Sequence, residues 1–527
     1  MRLFDSSGIL KNLTMRTFII YFELLSKKLF RNARVYKLSF FLFTIGLGAF
    51  CFSSCKKFLD AAPPSNIISD GDVYTSDATA IATLAGIYTN MSDPGGSGVG
   101  GFVGAYGISA RCGLSADEFS LYTESLAPDL QAYFRNNLTA NGSPATGSEI
   151  WTPLYNYIYR CNAAIEGITK SNDLSAPVKQ QLLGEAKFLR SFFYFYLVNL
   201  FGDIPIITST NYKMNTTLSR SVQSEVYQNI VSDLKDAEKL LSANYLNETI
   251  VATSTERVRP TKWAAKALLA RVYLYLHEWT MSKTTASELI NENGLFTLVP
   301  LNEVFLKNSL ETIWQLQPTT LYFNTEDALS FIVPETGLSE INPLYLNQVL
   351  LNSFEPYDQR RKGGNWVDSV IVNGTIIYYP FKYKRNDQNP DITSPDVMSE
   401  YLTVFRLSEQ YLIRAEANAE LGDLQSAISD IDVIRVRAGL PALASTNPNI
   451  SQSELINVIM HERQVELFGE WGHRWLDLKR TNHVDQVMQL VTPTKANGQS
   501  WRSFQKLYPL PQTDLEKAPN LTQNDGY

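Results

Sequence analysis

Along most of the chain, apolar residues recur at steps of three and four, the period of a helix with one buried face. The stretch 178–201 shows it best: Leu182, Ala186, Leu189, Phe193, Tyr196 and Leu200 form one stripe. A second stripe of Phe188, Phe192 and Phe195 makes the segment apolar around most of its circumference, which predicts a helix enclosed by other helices. Ser175 stands ready to cap its start, and Gly202 followed by Pro205 ends it. The same spacing predicts helices over 78–91, 151–168, 221–241 and 261–279, and again over 406–421, 424–438, 453–469 and 471–479. Ser451 with Glu454 three residues on is a capping box for the helix that follows.

Two stretches break the rhythm. Residues 92–148 open on Ser-Asp-Pro-Gly-Gly-Ser-Gly and stay rich in Gly, Ser, Asn and Tyr, which predicts loops or short strands. Residues 295–400 alternate strand-prone runs (312–316 and 370–379) with turns at Gly363-Gly364 and Asn373-Gly374. Where helices do alternate with short turns, the small-residue seam Ala417, Ala419, Gly422 and Ala427 lets neighbours approach closely, and 267–286 looks like a degenerate copy. The predicted fold class is all-α: TPR-like paired helices in one domain over 78–527, interrupted by irregular insertions at about 92–148 and 295–400.

The N-terminus has a different composition. Residues 38–52 carry no charge and follow a basic stretch; the run is short for a membrane span and suits a secretory signal. Phe52-Ser53-Ser54-Cys55 resembles a lipobox, although Phe52 stands where Leu is usual. Residues 1–54 are therefore read as a lipoprotein signal with a long basic lead, started at Met1 or Met15. Cys55 is the expected lipid anchor, and 55–77 a tether. Two or more acyl chains would hold such a protein stably at a bilayer.

Without residues 1–54, the chain keeps 38 of its 46 basic and 51 of its 53 acidic residues, a net of −13. That balance excludes a nucleic-acid partner, which would need basic patches. Four cysteines do not make a disulfide framework; Cys112 and Cys161 read as two buried thiols whose pairing the sequence leaves open.

No assembled catalytic motif stands out. His461-Glu462 begins like a zinc-protease helix, but Val465 occupies the second ligand position, so no metal, cofactor or catalytic residue is expected. Glu462, Arg463, Glu466, Arg474 and Asp477 read instead as ion pairs between adjacent helices. With 51 acidic residues after position 54, a glycosidase pair of carboxylates is not excluded by sequence, yet no motif marks one. A glycoside hydrolase and a TPR scaffold for a protein or peptide are the two rival readings. Non-catalytic sugar recognition asks for aromatic faces and planar polar groups on loops. Asp117, Glu118, Tyr122, Tyr133, Arg135 and Asn136 in the first insertion fit that description, as do Tyr357, Arg360 and Trp366 in the second. Trp151, Trp263, Trp471 and Trp475 lie in patterned helices and read as packing residues.

Long blocks carry a resemblance. GEAKFLRSFFYFYLVNLFGDIP (184–205), RPTKWAAKALLARVYLYL (259–276), FRLSEQYLIRAEANAELGD (405–423), HERQVELFGEWGHRWLDLKR (461–480), LYPLPQTDL (507–515) and PNLTQNDGY (519–527) resemble the SusD/RagB family of nutrient-binding lipoproteins. The resemblance implies a helical domain of four TPR-like pairs carrying an irregular ligand-binding region. It also implies a non-catalytic role at the cell outer membrane, facing the exterior. An oligosaccharide or similar nutrient would be captured and passed to a partner SusC-like TonB-dependent β-barrel transporter.

Overall fold

The computed structural model describes residues 73–93, 102–122, 127–141, 146–320, 322–387, 389–495 and 499–527. The signal segment, Cys55 and most of the tether lie outside these residues. No described helix is long and apolar enough to cross a membrane.

The predicted helices form with small shifts. They begin with α1 (Asp77–Ser92), whose Ser76 side chain accepts from the Thr79 amide as an N-cap. The first insertion was expected to lack helices, yet it contains α2 (Ile108–Ser115) and α3 (Pro128–Phe134), followed by α4 (Ser148–Lys170). Neither short helix has room for a repeating stripe, and α2 is buried on every side, so periodicity carries no signal there. Helix α5 (Ala176–Phe201) is enclosed as its two stripes require, and Gly202 at φ +78° closes it. Ser175 sits at the N-cap but makes no side-chain cap bond.

One turn of helix, α6 (Tyr212–Asn215), precedes α7 (Gln223–Leu240), α8 (Lys262–Tyr275) and α9 (Trp279–Ile290). The single helix expected over 261–279 is in fact two. His277 takes a left-handed φ of +58° and the Glu278 amide bonds back to the Tyr273 carbonyl, so the chain reverses and α9 folds onto α8. Small residues allow the approach: Ala267, Ala270 and Ala286 are fully buried, and Ser282 Oγ donates to the Ala270 carbonyl at 3.1 Å.

The second insertion holds the short helices α10 (Glu326–Phe331) and α11 (Gln348–Ser353). Helices then return as α12 (Leu407–Glu420), α13 (Leu424–Arg437), α14 (Leu443–Thr446), α15 (Gln452–Leu467) with its expected capping box, α16 (His473–Arg480), α17 (Val484–Val491) and α18 (Gln512–Lys517). Successive neighbours α4–α5–α7–α8–α9–α12–α13 stack in a continuous row, the TPR-like arrangement, with α15 closing on α12.

Six short strands make three antiparallel pairs: β1 (Phe119–Leu121) with β3 (Leu344–Leu346), β2 (Thr312–Leu316) with β6 (Leu402–Arg406), and β4 (Val367–Val372) with β5 (Thr375–Pro380). The last is a hairpin: the turn expected at Asn373-Gly374, with both residues at positive φ, divides the strand-prone run 370–379 between two paired strands. The β2–β6 pair is buried along its length, and Phe192 of α5 ties it to the helices by edge-on contacts with Trp314, Phe405 and Trp471. Each such buried ring contributes about 1.5–3 kcal/mol. Cys112 and Cys161 are buried free thiols; burial pushes Cys112 up to about 12, so neither is a reactive thiolate at neutral pH.

Candidate functional site

The two insertions meet around β1–β3, where Phe119 faces Leu346 and the Tyr122 amide donates to the Pro343 carbonyl at 2.7 Å. Beside this ladder, α10 grips the single 3-10 turn Gly104–Tyr106. The Gly104 amide donates to Asp327 Oδ1 at 2.7 Å and the Ala105 amide to Ser330 Oγ at 2.9 Å. Asp327 is fully buried, and burial pushes its carboxyl up to about 7. The turn is thereby fixed, and it presents Tyr106 with 39% of its surface exposed.

The surroundings of Tyr106 are polar. The buried Arg111 sits 5.9 Å from its ring centroid and 5.6 Å from that of Tyr133, and bonds Asp129 Oδ2 at 3.3 Å. The Tyr106 phenol is held above its ordinary range by partial burial first, then by Asp129 and Glu340, against Arg111. The exposed part of the ring offers stacking and the Asp129 and Glu340 carboxylates beside it can accept hydroxyls, while the buried Arg111, paired with Asp129 and Glu149, supports the ring from within. Tyr322, 42% exposed at φ +73°, lies on the segment leading into α10. A Tyr held in the left-handed region is strained by about 1–3 kcal/mol, and such strain clusters at functional positions.

Most of the residues expected to touch ligand are inside. Asp117 is buried and paired with Arg474 at 2.7–2.8 Å. Glu118 is buried, pushed up to about 8 by burial and then by Asp117, and accepts from the Gly469 amide at 3.3 Å. Tyr133 packs edge-on against Tyr508, and Asn136 is buried among Ser115, Thr492 and Lys495. Arg360 is buried between Asp358, Glu462 and Glu466 at 2.5–2.9 Å. Trp366 is fully buried; its indole N–H donates to the Leu301 carbonyl at 2.9 Å, and its ring lies beneath Lys382 and Arg406. These six are therefore corrected to packing and ion-pair residues, because no face of them is open to a ligand. Tyr122 and Arg135 are half-buried, and Tyr357 is 88% exposed at φ +73°.

The corrected residues share a task. Glu466 accepts from Arg360 and Arg406 and pairs with Arg437; Glu470 binds Arg406 at 2.8 Å and Lys382 at 2.5 Å; Glu311 bridges Arg406 and Arg437. Glu118 reaches the same α15–α16 linker from the other insertion through Gly469. Both insertions are thus anchored to one buried ionic junction. The ion pairs expected between the two helices are only partly formed: Arg463 bonds Asp477 at 2.8 Å, whereas Glu462 and Glu466 face Arg360, and Arg474 faces Asp117. Gly472, at φ +73°, lets that linker turn; a Cβ there would lie 2.7 Å from Cys112 Cβ.

The described residues give one cluster with metal-ligating side chains, Glu355, His461 and Glu462, whose ligand atoms lie within 4.8 Å of one another. Arg435 bonds both carboxylates and Arg360 bonds Glu462, while His461 Nε2 faces the Ser353 carbonyl at 2.6 Å. Those partners already neutralise the cluster, so its donor set does not fit a cation.

Two family models match the chain. "SusD family" covers residues 358–527, and "Starch-binding associating with outer membrane", a SusD-like model, covers residues 57–274. A SusD-like protein of Formosa agariphila is 25% identical over 525 residues, spanning 90% of this chain and 96% of the relative. The chain belongs to the SusD/RagB family. The starch-binding protein SusD of Bacteroides thetaiotaomicron is 32% identical over 172 residues, which is 32% of this chain and 29% of that protein. A SusD superfamily structure from Bacteroides vulgatus superposes with a TM-score of 0.69 at 22% identity, covering 86% of this chain and 99% of that one. The SusD-like fold accounts for the helical row. Tyr106 and Tyr322 fall in the part of the sequence without periodic signal. One clue precedes the structure: Tyr106 stands between Gly104 and Gly107, which favours a tight turn that displays a ring.

Proposed function

We propose that this protein is a cell-surface glycan-binding lipoprotein that captures an oligosaccharide without transforming it and delivers it to a SusC-like TonB-dependent β-barrel. Family membership supports the class, and the name of the Bacteroides thetaiotaomicron relative supports a saccharide as ligand. The observation that carries the binding role is Tyr106: an exposed ring on a turn fixed by Asp327 and Ser330, surrounded by Arg111, Asp129 and Glu340. Selectivity comes from the shape of this rigid platform, which needs little ordering when ligand arrives. Residues 1–54 are the signal, Cys55 the acylated residue, 55–77 the tether, and 78–527 the binding domain.

Isothermal titration with a panel of neutral oligosaccharides tests the platform. Tyr106→Ala is expected to weaken the best ligand about tenfold, the loss of roughly 1.4 kcal/mol expected for one stacking face, while melting with the parent. Equal affinity in parent and variant removes Tyr106 from the site. Fatty-acid labelling of Cys55→Ser, with loss of label expected, tests the anchor. Affinity purification from detergent-solubilised membranes tests the partner; recovery without a β-barrel overturns it.

A further inference from the structure

A second open aromatic surface lies away from the β1–β3 ladder, where the N-terminal half of α4 meets α6 and the C-terminal segment around α18. There a groove of about 280 Å³ is lined by Trp151, Tyr155, Tyr159, Tyr212, Asn215 and Asp514, among others. That volume is just below the roughly 300–1,000 Å³ usual for small-molecule sites. Tyr159 is 52% exposed and Tyr212 69%, and among the described residues neither ring stacks on another ring. Trp151, read from sequence as packing, is buried but contributes to the groove wall; its indole N–H donates to Asp514 Oδ2 at 2.8 Å and fixes that carboxylate in place.

The walls are held before any ligand arrives. Glu166 of α4 accepts both the amide and the hydroxyl of Thr210 at 2.8 Å, pinning the segment that leads into α6. Within that segment, Asn211 caps α6 and Asn215 Nδ2 donates to the Ser209 carbonyl at 2.9 Å. Tyr155 OH donates to the Pro205 carbonyl at 2.9 Å. From the opposite wall, Asn520 Nδ2 donates to the Thr217 carbonyl at 2.6 Å. Two exposed tyrosine faces on such a pre-organised frame meet the requirement for stacking on the flat apolar face of a sugar ring. The carboxylate and amide beside them suit its hydroxyls. A purely apolar partner would leave the Asp514 carboxylate desolvated against it, at a cost it could not offset.

We propose that this groove is a second saccharide-binding site, taking a short stretch of a neutral oligosaccharide through Tyr159 and Tyr212 with Asp514 as hydroxyl acceptor. It rests on the reading of the protein as a glycan binder and adds a site independent of Tyr106. Full-length mature protein is titrated with maltohexaose, laminarihexaose, xylohexaose and mannohexaose. The comparison includes the parent, Tyr106→Ala, the double variant Tyr159→Ala/Tyr212→Ala, and Tyr212→Phe. Both rings are exposed, so matching melting curves are expected and serve as the folding control. At least one hexasaccharide is expected to bind Tyr106→Ala still, and the groove substitutions in that background are expected to cut the residual affinity tenfold or more. Tyr212→Phe keeps the stacking face and is expected to stay within about twofold of the parent. If every loss is confined to Tyr106→Ala, the groove proposal is overturned and the loop site stands. Losses confined to the groove variants support the groove and remove Tyr106. Failure of all four probes to bind the parent overturns both.

Discussion

The ionic junction beneath the insertions and the open tyrosines above them use side chains that look alike on paper. Arg360, Trp366, Asp117 and Glu118 have the chemistry of a sugar site, yet all are buried, whereas Tyr106, Tyr322, Tyr159 and Tyr212 reach solvent. Burial assigns the roles. A guanidinium enclosed by two or three carboxylates is satisfied and closed, and its work is to hold the α15–α16 linker against the insertions. A tyrosine on a fixed turn leaves a face unused. The difference teaches that, in a protein with a large mixed core, planar polar groups beside aromatics mark the support for a site as readily as the site itself.

Removing one member of the junction should produce the largest effect. Glu466→Ala removes the carboxylate that joins Arg360 to Arg406 and Arg437, and leaves Glu311 alone to bridge the latter two. The arginines hold Glu466 well below the ordinary carboxylate range, which marks how much they depend on its charge. Breaking a buried pair from one side costs about 3–5 kcal/mol, read from the urea midpoint at constant slope. A change below about 1 kcal/mol would show that the junction is not what holds the insertions. Trp366→Ala is expected to cost about 3–5 kcal/mol through the cavity it opens, while oligosaccharide affinity per folded molecule stays within twofold. A selective affinity loss at parent stability would return Trp366 to the ligand site.

What sequence could show follows from this contrast. Most helices long enough to repeat a stripe were legible, apart from the break at His277 that divides α8 from α9, as were the Asn373-Gly374 turn and the Ser451–Glu454 capping box. The short helices α2, α3, α10 and α11 were not, because one or two turns cannot establish a period. The site suffered more. Arg360 meets Glu462 and Glu466 across more than a hundred residues, and Asp117 meets Arg474 across 357, so nothing near either residue betrays its partner. Tyr159 and Tyr212 escaped for the opposite reason: one sits in a regular helix and the other in a single turn, neither of which reads as a binding loop.

The pH dependence of stability separates the two regions at moderate amplitude. Glu118 in the folded protein is pushed up to about 8, above its value in an unfolded chain. Between roughly pH 4.5 and 8 the folded state therefore holds a proton that the unfolded state has released, and stability falls as pH rises through that window. Glu118→Gln keeps the neutral shape and removes the titration. Its stability relative to the parent should therefore improve from pH 5 to pH 8, by a few kcal/mol at most. A parallel pair of stability curves would place the Glu118 carboxylate in a solvated setting. Tyr106→Ala, on the open side, should leave the shape of the curve unchanged.

The smallest effect comes from a residue that belongs to neither region cleanly. Tyr357 precedes Asp358 and Arg360 of the junction, yet its own side chain is 88% exposed and its backbone sits at φ +73°. For an L residue that conformation costs about 1–2 kcal/mol, a penalty glycine escapes, although glycine also loses more freedom on folding, by roughly 0.5–1 kcal/mol. Tyr357→Gly should therefore be neutral to mildly stabilising, by up to about 1 kcal/mol, where Tyr357→Ala should gain nothing because alanine shares the strain. Urea denaturation of the two variants side by side reads the difference. If glycine also weakens an oligosaccharide while melting at or above the parent, the strained tyrosine belongs with the open surfaces. If affinity holds, its conformation serves only to turn the chain into the junction, and the boundary between support and site runs between Tyr357 and the loop that carries Tyr106.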